Sequence, residues 1–316
     1  MLAPAGRSLH MLRAMMIPRA QNPGLAALLT LLAAALAAGT TLLAKALGTG
    51  TLGAQVLGPP MHALQISHGR FAFALLSLAL AAAVLRPQFV RPALGLHVTR
   101  SALGFGGVTL MFAAAAFIPL SDATAISFLN PVFGMMLAIP LLGERVGPVR
   151  WGAAVIALIG AAVLTRPGTE SLQTGALLAL GAAALLGAEL IATKKLAGRE
   201  APMQVLLVNN VIGAMIATLA VIPVWQTPTA PQWAALAGIG VLMAGAQACF
   251  INAMARADAS YVAPFFYAAL VFAALYDFAF FGVQPDLISI SGGAIILSGA
   301  GLLAWRQARL RAPKSV

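Results

Sequence analysis

The sequence predicts an all-α integral membrane protein with ten transmembrane helices, arranged as two inverted five-helix repeats. Three observations lead to this prediction: an extreme composition, ten apolar stretches and a weak internal repeat. Of 316 residues, 61% are hydrophobic and only 9% are charged, and the mean hydropathy is +0.94. Soluble domains carry about 25% charged residues. The chain therefore cannot cover a water-facing surface, which excludes a soluble enzyme and a disordered protein.

Ten stretches are long and apolar enough, or nearly so, to cross the roughly 30 Å hydrocarbon core of a bilayer. Their apolarity is continuous rather than alternating, which favours helices over strands. Short gaps with Pro and Gly separate them and leave no room for a soluble domain. The predicted spans are 25–47, 66–85, 102–118, 123–142, 149–165, 175–193, 205–225, 233–255, 261–282 and 288–305.

The positive charges predict the orientation of these spans. With ten spans and a cytoplasmic N-terminus, 16 of the 19 Lys and Arg residues fall on the cytoplasmic side. Cytoplasmic loops are enriched in such residues, so both termini are predicted to be cytoplasmic in a multi-pass inner-membrane protein. The net charge of +11 therefore reports topology and not nucleic-acid binding. A cleaved signal peptide is the alternative for the N-terminus, but apolarity continues past a normal signal core.

The chain also resembles itself at a spacing of about 136–139 residues. Gly104 aligns with Gly240, and after a three-residue slip Gly160 aligns with Gly299. An odd number of helices per repeat makes the second repeat enter the membrane in the opposite direction, an arrangement typical of secondary transporters. The predicted organisation is a basic tail (1–24), a first repeat (25–168), a second repeat (174–305) and a basic tail (306–316).

Ordered motifs along both repeats carry a resemblance to a known family. They are Arg70-Phe71, Pro119-Leu120-Ser121-Asp122-Ala123, Asn130-Pro131-Val132-Phe133, Leu142-Gly143-Glu144-Arg145, Gly152 with Gly160, and Ala263-Pro264-Phe265-Phe266-Tyr267. On these motifs the chain resembles the EamA-type members of the drug/metabolite transporter superfamily. The resemblance implies ten helices around a central cavity and transport of small metabolites by alternating access, with export favoured over import.

Four ionisable residues lie inside predicted spans: Lys45, Arg70, Glu189 and Asp277. A charge in the membrane costs at least about 2.5 kcal/mol and normally faces a partner or a cavity. Lys45 lies near a helix end, where snorkelling of its side chain explains it. Arg70 and Asp277 lie at similar depth, so either they pair or Arg70 holds an anionic substrate group while Asp277 takes a cation or proton. Glu189 is a candidate for proton coupling or for pairing with a cytoplasmic-side base.

Uncharged polar and aromatic side chains complete the candidate site. Single polar residues in membrane helices more often join helices than bind substrate. Asn130 lies beside Pro131, and Pro264 lies near Tyr267, and a proline frees carbonyls that can line a cavity or allow gating. The predicted substrate-binding or coupling residues are Arg70, Asn130, Glu189, Gln247, Tyr267, Tyr276 and Asp277, with Pro131 and Pro264 as gating residues.

The predicted function is secondary active transport of a small polar or amphipathic metabolite, with protons as the coupling ion. An integral-membrane lipid-modifying enzyme is the alternative, but the eight acidic residues are scattered. A channel would need a polar or charged ring that the spans lack. We expect no cofactor and no metal, because the single cysteine and four dispersed histidines have no ligand spacing. The expected partners are a small molecule and the bilayer, and a homodimer stays open.

Overall fold

The computed structural model describes residues 22–87, 89–142, 147–165, 174–196, 199–254, 256, 265 and 267–311. Eleven α-helices and one short β-hairpin account for most of these described residues. The helices are α1 Pro23–Thr49, α2 Ala63–Leu85, α3 Leu94–Phe117, α4 Leu120–Ser127, α5 Asn130–Leu142, α6 Pro148–Thr165, α7 Thr174–Leu196, α8 Pro202–Val221, α9 Ala230–Met254, α10 Ala268–Phe281 and α11 Leu287–Arg311. A short 3-10 turn, Ile222–Val224, extends α8.

Seven of the helical segments in the described part of the chain are long and apolar enough to cross a membrane. They are α1, α2, α3, the pair α4 and α5 taken together, α7, α8 with its 3-10 extension, and α9. Three shorter apolar stretches lie in α6, α10 and α11. Each predicted span overlaps a helix or helix pair in the described residues, although residues 261–264 of the ninth span lie outside them. The all-helical, multi-pass character is confirmed.

Helix α3 begins eight residues earlier than its predicted span. His97 and Arg100, which the sequence places in a cytoplasmic loop, therefore belong to this helix, and both are buried. The prediction was wrong there because two polar residues in the first two turns lower the local apolarity below that of a membrane span. Inside the protein, His97 lies against Glu200 and Arg100 is paired with Glu189, as described below.

The predicted span 123–142 is interrupted. Helix α4 ends at Ser127 and α5 begins at Asn130, immediately before Pro131. Proline has no amide hydrogen, so it cannot donate to the carbonyl four residues earlier, which belongs to Ser127. The Ser127 hydroxyl donates to the Thr124 carbonyl at 2.7 Å in the last turn of α4, just before this break. The proline thus removes a backbone hydrogen bond from the turn that precedes it, which is where the helix is interrupted.

A two-stranded antiparallel hairpin, β1 Thr51–Leu52 and β2 Gln55–Val56, follows α1. Gly50 ends α1 with a left-handed φ of 81°, and a Cβ at this position would lie 2.5 Å from the Gly58 carbonyl oxygen. Gly53, in the turn, approaches the Phe280 carbonyl oxygen at the end of α10. We call the end of the bundle that carries this hairpin the hairpin end.

The packing of the helices interleaves the two halves of the chain. Helix α3 packs along α7, and α1 packs along α9. Helices α6 and α11 pack against each other, and α2 lies between α8 and α9. The largest buried apolar cluster joins α4, α5, α6, α7 and α11. Because most helices touch both halves, the interior between the halves is where a ligand cavity can form.

Candidate substrate cavity

A cavity of about 210 Å³ lies in the interior between helices of both halves. One buried water requires about 10–15 Å³ on a comparable measure, so the space suits a small organic molecule. Most of the wall is apolar. The lining residues are Ala37, Ala38, Thr40, Thr41, Arg70, Val108, Met111, Phe112, Thr124, Ser127, Phe128, Leu186, Met243 and Ala269.

Arg70 is the charged side chain in this wall. It lies seven residues into α2 and is only 7% exposed. Its guanidinium lies over the ring of Phe71 at 4.5 Å, which orients the planar group. Among the described residues, its buried Nε and Nη1 atoms have no hydrogen-bond partner. A buried guanidinium in this state is energetically costly, which points to a ligand or a conformational change that supplies the partner.

Glu189 pairs with a base from α3. Its Oε1 lies 3.1 Å from Nη2 of Arg100, and Arg100 Nε donates to the Thr193 hydroxyl at 2.8 Å. Gly104 makes room for this carboxylate, because a Cβ at that position would lie 3.1 Å from it. The pairing alternative predicted for Glu189 is therefore confirmed. The partner is a residue that the sequence had placed in a loop.

Asp277 is paired with Lys45 and not with Arg70. Lys45 Nζ lies 2.6 Å from Asp277 Oδ1, and the Asp277 side chain is 1% exposed. The other carboxylate oxygen accepts a hydrogen bond from the backbone amide of Leu120, at the start of α4. The hypothesis of an Arg70–Asp277 pair was wrong. The snorkelling interpretation of Lys45 was also wrong, because the last turns of α1 are buried and the Lys45 ammonium is paired there instead of reaching solvent.

The remaining predicted residues surround the cavity without lining it. Tyr267 packs edge-to-face on Phe128, with ring centroids 5.1 Å apart, and so supports the wall from behind. Tyr276 donates to the Ala35 carbonyl at 3.3 Å and joins α10 to α1. Asn130 is half-buried at the start of α5, where its carbonyl faces Gly187. The Oε1 atom of Gln247 is buried without a partner among the described residues.

The two predicted gating prolines differ in what the structure describes. Pro131 lies in the first turn of α5, directly after the helix break. Pro264 lies outside the described residues. Four hydroxyl side chains in the wall were not among the predicted site residues: Thr40, Thr41, Thr124 and Ser127. No signal in the sequence separates them from hydroxyls that only join helices.

A second polar cluster, missed in the sequence, lies at the end opposite the hairpin. Glu200 precedes α8, and its carboxylate accepts hydrogen bonds from the Ala93 amide at 2.8 Å and from Gln204 at 2.7 Å. It also lies 2.8 Å from His97 Nε2. Burial raises the pKa of the Glu200 carboxyl, but the hydrogen bonds from Ala93 and His97 outweigh this, so its pKa is lowered overall.

A multi-pass helical protein whose mostly apolar interior cavity has a charged side chain, here Arg70, in its wall has the architecture of a membrane transporter. Comparison with known proteins agrees. The model of the EamA-like transporter family matches residues 24–166 and again 173–305. The chain belongs to this family, and it is a multi-pass inner-membrane transporter of small molecules.

Relatives show the same class. A riboflavin transporter of Vibrio cholerae is 30% identical over 225 residues, covering 70% of this chain and 76% of that protein. An S-adenosylmethionine uptake transporter of Rickettsia prowazekii is 26% identical, covering 83% of this chain and 89% of that protein. A protein of known crystal structure, 20% identical, superposes with a TM-score of 0.60 over 91% of this chain and 99% of its own, which shows a shared fold. These names indicate transporters rather than enzymes.

Proposed function

We propose that the protein is a secondary active transporter that moves a small amphipathic metabolite across the inner membrane by alternating access. The observation that carries this proposal is the interior cavity, whose wall combines helices from both halves with a buried guanidinium. A site between two halves can be exposed to either side of the membrane when the halves rock against each other. The family membership supports the same mechanism.

Two inverted repeats of five helices are part of this proposal. The family model matches the chain twice, once in each half. If α1, α2 and α3 correspond to α7, α8 and α9, the contact of α3 with α7 corresponds to that of α9 with α1. The contact of α6 with α11 then corresponds to itself. This matched packing supports a two-fold relation between the halves and ten membrane-crossing segments.

Protons are the coupling ion that we propose. Two buried carboxylates, Glu189 and Asp277, are each engaged by a basic side chain in this conformation. A conformational change that separates either pair would leave a buried carboxylate that must find a new partner or a proton. Proline gating at Pro131 fits the same scheme, since the α4–α5 break gives the chain a place to bend.

Riboflavin is the first substrate to test, and S-adenosylmethionine is the second, because relatives carry these names. The cavity supports a ligand with an apolar body and a few polar groups. Export, which the family resemblance favours, stays a prediction, while the Rickettsia relative is named for uptake. Flux in both directions therefore has to be measured.

The experiment reconstitutes the purified protein into liposomes and measures uptake and counterflow of each labelled compound, with and without a pH gradient. Met243→Trp fills the cavity wall and should abolish flux. Val241→Trp, on the lipid-facing side of the same helix, is the matched control and should retain it. Flux of either compound that depends on the protein and is lost only in the first variant supports the proposal. Equal flux through both variants counts against it, and so does a wild type that carries neither of these compounds nor the anionic probes described below.

A further inference from the structure

We propose that the cavity holds its ligand by an anionic group, a carboxylate or a phosphate, bound to the Arg70 guanidinium. The transported compounds would then be small amphipathic anions. This inference rests on the proposed function and narrows it to a chemical class. Three observations support it. Two nitrogen atoms of Arg70 have no partner among the described residues, the described acidic residues are bound to other groups, and the charges near Arg70 sum to a positive value.

Arg70 has the geometry of an open anion site. Its side chain forms part of the cavity wall, and it is more than nine-tenths buried. Two of its three nitrogen atoms, Nε and Nη1, are buried without a partner in the described structure. A guanidinium offers donors in a planar fork that matches a carboxylate or a phosphate in two parallel hydrogen bonds. The ring of Phe71 fixes the plane of this fork.

The acidic residues that the structure describes all have other partners. Glu189 is paired with Arg100, and Asp277 with Lys45. Asp122 accepts a hydrogen bond from Ser289 at 3.0 Å. Glu200 is held by His97 and Ala93 in the cluster before α8, and Asp286 accepts from the Ser289 amide at 2.8 Å. Within the described chain, Arg70 therefore has no carboxylate of its own.

The charges beside the cavity do not balance. Among the described residues, Glu189 attracts the Arg70 guanidinium and Arg100 repels it. Two guanidiniums and one carboxylate give this buried cluster a net charge of +1 when all three are ionised. Arg100 also has a buried Nη1 without a partner in the described structure. An anion bound at Arg70 would bring the net charge to zero, and uncompensated buried charge is costly.

The rest of the wall limits what else the ligand can carry. Beyond Arg70, the lining offers hydroxyls on one side and Met, Phe and Leu side chains elsewhere. The Thr40 and Ser127 hydroxyls already donate to backbone carbonyls, which leaves their oxygens as acceptors. A ligand with one acidic group and an apolar or aromatic body fits this wall. A second charge of either sign on that body would find no partner in it.

The test uses two pairs of probes that differ only in the anionic group. Riboflavin 5′-phosphate is compared with riboflavin for a phosphate, and indole-3-acetate with indole-3-acetamide for a carboxylate. Binding to the purified full-length protein is measured by calorimetry at fixed ionic strength. We expect the wild type to bind the anionic member of at least one pair about tenfold more tightly or better, an energy equivalent to about 1.4 kcal/mol.

Three variants separate a binding role from a structural one. Arg70→Met should remove the preference for the anion and leave binding of the neutral member within about twofold. Arg70→Lys should retain part of the preference, because it keeps the charge but not the fork. Glu189→Gln removes the nearby negative charge and should tighten anion binding, an effect expected only if the anion lies close to this group of charges. This last variant keeps the test decisive if Arg70→Met does not fold.

The proposal is overturned if the wild type prefers neither anion, if it binds none of the four probes, or if the preference survives Arg70→Met. It is also overturned if Glu189→Gln weakens anion binding. Failure of the proposed function has a different signature. In that case the anion preference and its loss in Arg70→Met would be seen, but reconstituted protein would carry neither anion across the membrane.

Discussion

Lys45 and Asp277 form a buried ion pair that ties three helices together at the hairpin end. Lys45 belongs to α1, Asp277 to α10, and the Leu120 amide at the start of α4 donates to the same carboxylate. Removal of one partner of a buried pair leaves an uncompensated charge and costs about 3–5 kcal/mol. We therefore expect Lys45→Met to lower the free energy of unfolding by that amount. Chemical denaturation in detergent measures it.

Two further variants show whether the loss comes from the unpaired charge. Lys195→Met removes an exposed lysine on α7 and should change stability by no more than about 0.5 kcal/mol. The double variant Lys45→Met with Asp277→Asn has no buried charge at this position, and the amide oxygen can still accept from Leu120. It should recover at least half of the loss. A double variant no more stable than Lys45→Met would contradict the argument.

Glu200 makes stability depend on pH at the end opposite the hairpin. Its pKa is lowered in the folded protein, because the hydrogen bonds from Ala93 and His97 outweigh the effect of burial. A carboxyl with a lowered folded-state pKa stabilises the fold at pH values above its ordinary pKa of about 4.5. That contribution is lost as the pH falls from this value through the lowered pKa.

The measurement compares the wild type with Glu200→Gln across this window. Near neutral pH the variant should be less stable, since it lacks the charged acceptor for Ala93 and His97. As the pH falls below the ordinary glutamate pKa the two proteins should converge, and convergence is complete below the lowered pKa, where the folded wild-type carboxyl is also protonated. A stability difference that stays constant on acidification would show that the carboxylate charge contributes nothing here.

At the scale of single residues, the sequence could locate the buried charges but not their partners. A charge in an apolar stretch is visible in the sequence, so Arg70, Glu189 and Asp277 were recognisable. Partner choice depends on which helices are neighbours and on exact helix ends. Arg100 was misplaced because α3 starts eight residues early. Lys45 was misinterpreted because its partner, Asp277, lies 232 residues away on another helix.

Among the helices, the contact between α6 and α11 depends on two glycines. A Cβ at Gly160 would lie 2.7 Å from the Ile296 amide nitrogen, and one at Gly299 would lie 2.7 Å from the Ala153 carbonyl oxygen. Such distances allow no side chain without movement of a helix backbone. In membranes, small residues of this kind let helices approach closely. The two glycines are also the pair that the internal repeat aligns.

We expect Gly160→Ala to separate the two helices and to destabilise the protein, since overpacking typically costs about 1–3 kcal/mol. Gly152→Ala is a matched control on the same helix, because a Cβ there meets nothing within 4 Å. The control should be neutral or stabilising, as alanine favours a helix over glycine by about 1 kcal/mol. Thermal unfolding in detergent compares the two. Equal stability of both variants would contradict the close contact.

The helices could be predicted from the sequence more completely than the breaks and turns between them. Continuous apolarity predicts each span, because lipid leaves the backbone no other partner than itself. The break between Ser127 and Asn130 was foreseen only as a kink at Pro131, since the sequence does not show on which side of a proline the helix opens. The hairpin Thr51–Val56 was not predicted, because each strand has only two residues. The contacts around it come from residues far away in the sequence: Gly53 lies against the Phe280 carbonyl, and Thr229 donates to the Leu57 carbonyl.

For the whole molecule, the buried charges divide the interior into zones. The Lys45–Asp277 pair joins helices at the hairpin end, and the Arg100–Glu189 pair joins α3 to α7 toward the opposite end. Arg70 lies in the cavity wall, in α2, a helix that packs against both α8 and α9. Each pair connects helices that would separate if that end opened. The arrangement suits a transporter in which opening of one end requires one ion pair to break.

The orientation of the molecule gives the last prediction. The spans predicted from the sequence would put 16 of the 19 basic residues on the side that holds the Arg199 turn, and the positive-inside rule then predicts that this side is cytoplasmic. Placement of Arg100 in α3 does not change its side. In a Cys249→Ala background, single cysteines replace Gln55 in the hairpin or Arg199 before α8, both exposed. A membrane-impermeant maleimide should label the cysteine at 55 in intact spheroplasts, and the one at 199 only after permeabilisation. Labelling in the opposite order would place the hairpin in the cytoplasm and reverse the orientation.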